Sequence, residues 1–279
     1  MTMNAKKLYE QLDTDFELDK CSDEFEMDYN EYMCDNFKER KMGVLVDNTE
    51  TINQVHTAVF PSDKVLEEVL ASGKENVLLF THHPINWDIR KAPNVFSNID
   101  KELLRRLKER KISIYTLHVP LDKNGEYSTS TNYAKAIGVS NENEFCEYHG
   151  VFVGVIGKAE CKTVEELAER VKSAVGHDVK LYNYGSSELQ DVAVVAGGGN
   201  DQIVVDQIPD SVNTLVTGIS RLNDYSKRTH ENEKERKINL IGATHYSTEK
   251  FACIKLCEYF NKIGLDCSFI EDDPVMEDM

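Results

Sequence analysis

The sequence predicts an α/β protein of two lobes, with parallel or mixed sheets and a metal cleft at the carboxyl ends of their strands. Two observations carry this. From Gly43 onward, strand-like apolar runs alternate with helical patterns, the rhythm of a sheet covered by helices. Three of the runs also end in metal-ligand residues: NVLLFTHH delivers His82 and His83, ISIYTLHVPLD delivers His118 and Asp122, and INLIGATHYSTE delivers His245 and Glu249. Ligand sites in α/β sheets form beyond the carboxyl ends of the strands, so three such ends can meet in one cleft.

At 279 residues the chain has room for about two domains of roughly 100 to 200 residues each. Residues 1–42 form an acidic N-terminal helical segment. From Asp13 to Asp35 ten acidic residues face a single lysine, interleaved with Phe16, Leu18, Phe25, Met27, Tyr29, Tyr32 and Met33. The pattern predicts a helix with one apolar packing face; a partner-binding helix is the alternative. Residues 43–140 form a first lobe, through GVLV, VHTAVF, the helix SDKVLEEVLASG, NVLLFTHH, the helix around IDKELLRRLKERK, ISIYTLH and the short helix STSTNYAKAIGV. Ser62 marks the start of the first of these helices and Gly73 its stop. Residues 141–279 form a second lobe and contribute the C-terminal metal-ligand helix, STEKFACIKLCEYFNKIG, followed by DCSFI. The acidic tail EDDPVMEDM reads as loose.

Composition narrows the function. A net charge of −17, with 49 acidic against 32 basic residues, repels phosphate backbones and anionic lipid, which makes nucleic acid an unfavourable partner. The mixed-sign stretch SKRTHENEKERK at 226 to 237 reads as a solvated loop or helix end. There is neither an apolar run of about 18 residues nor a secretory h-region at the start, so no membrane association and a cytoplasmic location are expected. Seven scattered cysteines without CxxC spacing argue against a disulfide framework and read as reduced, mainly buried thiols. For Cys253 and Cys257, packing is preferred to metal ligation.

Side chains alternate across a regular strand, so His82 and His83 can serve neighbouring ions only where the strand is left, and Pro84 favours that exit. His245 and Glu249, four apart at a helix start, share one face and can ligate jointly. The alternative for Glu249 is a charge placed at the positive end of the helix dipole. Asp122 can bridge two cations or form an Asx turn before Asn124 and Gly125. His118 can orient a ligand from outside the metal's own shell. Imidazole with carboxylate suits zinc, iron, manganese or cobalt. The glycines of VAGGGN read as a tight strand-to-helix turn needing positive φ rather than a phosphate loop, because neither a Walker lysine nor GxGxxG spacing is present.

THHP, LHVPLD leading through GEYSTSTNYAKAIGV, and GATHYSTEK resemble, in order and spacing, the signatures of the Nif-three-like dinuclear metal-centre hexameric family, also called GTP cyclohydrolase I type 2 homologues. The match runs from about Gly43 to Ile270. This resemblance implies two interlocked α/β lobes, two divalent metal ions per chain and a ring-shaped homohexamer. It carries ligand roles onto His82, His83, Asp122, His245 and Glu249, with His118 nearby. The chain departs from the family pattern at Thr244, at Thr217–Gly218–Ile219 and before GVLV, which alters the cleft wall and spares the ligands.

Expected, then, is a dinuclear divalent-metal-binding protein acting as a metal-dependent hydrolase on a small nucleotide. His118 would be its acid or base, because an imidazole titrates near neutral pH. The alternative is a non-catalytic metal-binding ring or adaptor that recruits a partner through the acidic segment. A closed coordination shell would distinguish it.

Overall fold

The computed structural model describes residues 2–24, 27–91 and 94–279, and the mixed α/β fold expected from the sequence is present. Contacts divide the chain into two compact units, Met1–Leu121 with Cys253–Val275, and Asp122–Ala252 with Met276–Met279. This division follows contacts, whereas segments 1–42, 43–140 and 141–279 follow chain order.

The first unit is built on a five-stranded sheet in the order Asp266–Phe269, Gln54–Ala58, Val77–Thr81, Ile112–Thr116, Gly43–Val46. The first four run parallel and Gly43–Val46 closes the edge antiparallel. All five residues of Val77–Thr81 are buried, as befits a parallel strand covered on both faces. Successive side chains therefore serve different layers. Val77 and Leu79 pack with helices Asp63–Ala71 and Lys101–Glu109, while the ring of Phe80 meets those of Tyr115 and Phe260. Ser62 caps Asp63–Ala71 by accepting from the Val65 N–H, and Gly73 follows the helix at φ +68°, as the sequence reading expects.

The expected helix through residues 13–35 does not form. Ala5–Asp15 is helical, but Glu17 takes a left-handed φ of 52° and ends that run. A short 3₁₀ turn follows at Leu18–Lys20, and the described residues between Cys21 and Cys34 contain no helix. Met27, Tyr32 and Met33 still pack on the core individually; Phe25 lies outside the described residues.

The second unit carries a six-stranded mixed sheet in the order Lys180–Tyr182, Asn239–Gly242, Val212–Thr217, Asp191–Val195, Val151–Gly157, Asn143–Tyr148. Its three central strands are mutually parallel and its flanks antiparallel. One apolar cluster gathers Thr129–Ala136 and Val164–Val175 on this sheet, and another brings in Val204, Val205 and Ile208. The stretch 226–237, expected to be a solvated loop or helix end, is a full helix, Lys227–Arg236, and it buries Thr229, His230 and Glu233. The tail is not loose either. The Asp278 carbonyl accepts from the Ser220 and Arg221 N–H groups, and its side chain is buried. Among the described residues, no helix is long and apolar enough to cross a membrane.

Candidate metal centre

In the first unit the register pairs Thr81 with Thr116 at the ends of neighbouring parallel strands, and their hydroxyls lie 2.8 Å apart. The chain leaves both strands at the same level, so His82, His83 and His118 emerge together. His82 and His83 are 0% and 2% exposed. Ring centroids are 4.4 Å apart for His82 and His83, 5.2 Å for His82 and His118, and 5.1 Å for His83 and His118. Each of the three offers a nitrogen within 4.8 Å of the others, a spacing that can hold a metal ion.

The second nitrogens decide how these rings can act. His82 Nδ1 lies 2.9 Å from the Leu117 carbonyl, which can only accept, so that nitrogen carries the proton and Nε2 the lone pair. His118 Nδ1 lies 3.1 and 3.2 Å from the two carboxylate oxygens of Asp23, and one of these also accepts from the Val119 N–H at 3.3 Å. The His83 ring stacks on Phe60 with centroids 4.4 Å apart and planes 8° apart. Two rings are thus oriented by hydrogen bonds and the third by a flat apolar wall.

In the second unit, His245 and Glu249 lie on the first turns of His245–Lys262, with Nε2 and Oε1 3.0 Å apart. Gly197 explains how that pair has room. A Cβ there would fall 2.3 Å from Glu249 Oε1 and 3.1 Å from His245 Nε2, and its φ is +69°. The positive φ expected for the VAGGGN turn is present, and the glycine is required twice over. Its N–H donates to Thr248 Oγ1 at 2.9 Å, tying the turn to the helix His245–Lys262.

The tail completes this helix start. Asp278 accepts from the His245 N–H at 2.9 Å, and the Met276 sulfur accepts from the Tyr246 N–H at 3.3 Å. A carboxylate at a helix N-terminus satisfies an orphan donor and opposes the dipole. Burial pushes the Asp278 carboxyl up, and its hydrogen bond with His245 works against that. Asp122 closes a one-turn helix, Val119–Asp122, and its Oδ1 accepts from Thr129 Oγ1 at 2.7 Å.

The structure therefore clusters His82, His83 and His118 in one unit and pairs His245 with Glu249 in the other. Imidazole and carboxylate donors of this kind fit a borderline divalent ion. Sequence reasoning missed Asp23 and Asp278. Nothing distinguishes Asp23 from the other acidic residues around it, whereas Asp278 lies in a tail whose composition suggested disorder.

Comparison with known proteins gives a consistent result. Residues 32–274 match the family model described as Duf34/NIF3 (NGG1p interacting factor 3). A Borreliella burgdorferi protein named GTP cyclohydrolase 1 type 2 homolog is 31% identical over 246 residues, covering 87% of this chain and 92% of the relative. A Pyrococcus horikoshii protein of the same name is 29% identical over 239 residues, covering 83% and 89%. Among solved structures, a structural-genomics protein called ybgI, of unknown function, superposes with a TM-score of 0.77 at 22% identity, covering 98% of this chain and all of that one. TTHA1606 from Thermus thermophilus gives 0.73 at 21% identity over 98% and 100%. At those identities the structural likeness concerns the fold alone.

Proposed function

The chain belongs to the Duf34/NIF3 family, and on that premise we propose that it is a dinuclear divalent-metal-binding protein acting as a hydrolase on a small nucleotide. In this reading His82, His83, Asp122, His245 and Glu249 hold two ions of zinc, iron, manganese or cobalt. The observation that carries the reading is the cluster of buried His82 and His83 with half-buried His118, in which His82 and His118 each have Nδ1 against a fixed oxygen. Such partners set the tautomer and aim the opposite nitrogen.

Bound ions of this class would supply Lewis acidity and water activation at neutral pH. The chain's own residues do the rest. His82 and His83 present nitrogens from buried rings, and Phe60 fixes the plane of the His83 ring. His118, half-buried and backed by Asp23, can take up a proton at Nε2 while the carboxylate stabilises the resulting imidazolium. The relatives' cyclohydrolase name and the anionic surface, which disfavours polymeric nucleic acid, both support a small nucleotide. A cytoplasmic homohexamer belongs to the same reading.

Elemental analysis of protein purified without added metal, together with native mass, tests it. Two equivalents per chain and a sixfold assembly are expected. Calorimetric titration of the stripped protein should show His82→Ala and His83→Ala each weakening mainly one site, with the double variant losing both. Unchanged two-site binding in the double variant would remove the proposal. Turnover is tested separately with a panel of nucleotides. Full occupancy without hydrolysis of any of them would favour the non-catalytic ring.

A further inference from the structure

Near its C-terminal end, the helix His245–Lys262 turns through Gly264, at φ +87°, into the edge strand Asp266–Phe269. That turn brings two thiols into contact: the sulfurs of Cys257 and Cys267 lie 3.3 Å apart. Both side chains are partly exposed. The surroundings hold them in place. Cys267 pairs in register with Val55 of the neighbouring strand, and its N–H donates to Asn261 Oδ1. The Cys257 sulfur also lies 3.4 Å from Thr57 Oγ1, whose proton is committed to the Cys253 carbonyl at 2.8 Å. Cys253, one helical turn earlier, is fully buried and donates to the Ala58 carbonyl, which leaves it as an inert packing thiol.

We propose that Cys257 and Cys267 are a redox-active dithiol that low-molecular-weight disulfides convert reversibly to an intramolecular disulfide, with Cys257 as the attacking sulfur and Cys267 as the resolving one. The two sulfurs need to close from contact distance to about 2.05 Å, a shift that rotation of two partly exposed side chains can supply. The roles are unequal because the hydrogen bond between them is directional. The Cys267 S–H donates to Cys257 and holds that thiol below its ordinary value, against the opposing effect of burial. The same bond, with burial, pushes Cys267 up. A thiolate is the nucleophile in exchange.

The steps balance. The Cys257 thiolate attacks one sulfur of the small disulfide RSSR, forming a mixed disulfide and expelling RS⁻, which takes the proton leaving Cys267. The Cys267 thiolate then attacks the Cys257 sulfur, closes the protein disulfide and expels the second RS⁻, which is protonated by solvent. Two electrons pass from the dithiol to RSSR, giving two RSH. The product would clamp the end of the ligand helix to the edge strand.

Oxidised glutathione applied to the full chain, followed by alkylation and peptide mass spectrometry, tests this. Expected is a Cys257–Cys267 cross-linked peptide that dithiothreitol abolishes. Cys267→Ser should instead accumulate a glutathione adduct at Cys257, whereas Cys257→Ser should leave Cys267 unmodified. Before oxidation, iodoacetamide at pH 7 should label Cys257 about tenfold faster than an ordinary thiol of pKa near 8.5. Absence of the cross-link in oxidised wild-type protein, or trapping of the adduct at another cysteine in Cys267→Ser, would overturn the assignment. Because the readout needs no metal, failure here leaves the metal-binding proposal untouched.

Discussion

An imidazole can present one nitrogen to a metal or a substrate only while the other nitrogen is settled, and His118 is settled by Asp23. Asp23 comes from the acidic N-terminal segment, so at least one of those carboxylates serves the candidate site internally. The carboxylate accepts, which makes His118 the Nδ1–H tautomer when neutral. Asp23→Asn should reverse that, because an amide NH₂ can donate to Nδ1 and leave the proton on Nε2. The imidazole ¹⁵N shifts of the metal-free protein would report the exchange, and turnover of any hydrolysed nucleotide should fall roughly 10- to 100-fold. Unchanged shifts in the variant would mean that Asp23 does not orient the ring. Ligand roles aside, which belong to the proposal, the grouping of the strand-end histidines and the pairing of His245 with Glu249 were legible at this scale, because side-chain type, spacing and strand ends all coincide on them. Asp23 was not, since its partner lies 95 positions away in sequence and no local pattern encodes such a pairing. Gly197 was half legible: the turn chemistry of VAGGGN predicts its backbone, but not the Glu249 oxygen that a side chain would strike.

The helix Lys227–Arg236 shows the same limit at the scale of an element. Its residues are polar throughout, so hydrophobic periodicity gives no sign of a buried face, yet Glu233 and His230 are packed inside. Burial pushes the Glu233 carboxyl up to about 8 and holds His230 down. The His230 Nδ1 lies 2.9 Å from the Tyr184 hydroxyl and 3.5 Å from Glu233 Oε2. An acid raised from 4.5 to about 8 on folding keeps its proton longer in the native state than in the unfolded chain. Its contribution to stability is therefore fully present below about 4.5 and is lost as pH rises through about 8. Glu233→Gln should remove that dependence, leaving the variant more stable than wild type by about 1–3 kcal/mol above pH 8, with the gap narrowing toward pH 5. Denaturant titrations across this range would check the sign; a variant less stable at every pH would show that the carboxylate is favourably paired. The N-terminal segment failed in the opposite direction. Its apolar spacing suggested a helix with one apolar face, but the left-handed Glu17 and the commitment of Asp23 to His118 and Val119 impose an irregular path.

For the molecule as a whole, the α/β class and the strand-end location of the candidate histidines were legible because most buried parallel strands read as apolar runs bounded by turns. The discontinuity of the first unit was not. Its edge strand, Asp266–Phe269, pairs with Gln54–Ala58, and Phe260 packs on Phe80, although the whole second sheet intervenes in the chain. A chain ending at Ala252 would lack both. Limited proteolysis of that truncation should cut within residues 43–121 at least tenfold faster than in the full chain, because an edge strand and an aromatic wall of the core are missing; equal protection would show that the N-terminal part folds alone. The same discontinuity sets an order of events during synthesis. Emerging from the ribosome at about 5–20 residues per second, residues 43–121 wait many seconds for their last strand. Through that interval the strand Gln54–Ala58, buried at four of its five positions in the finished fold, has an open edge, which makes the nascent chain a client for chaperones until residues 253–275 arrive.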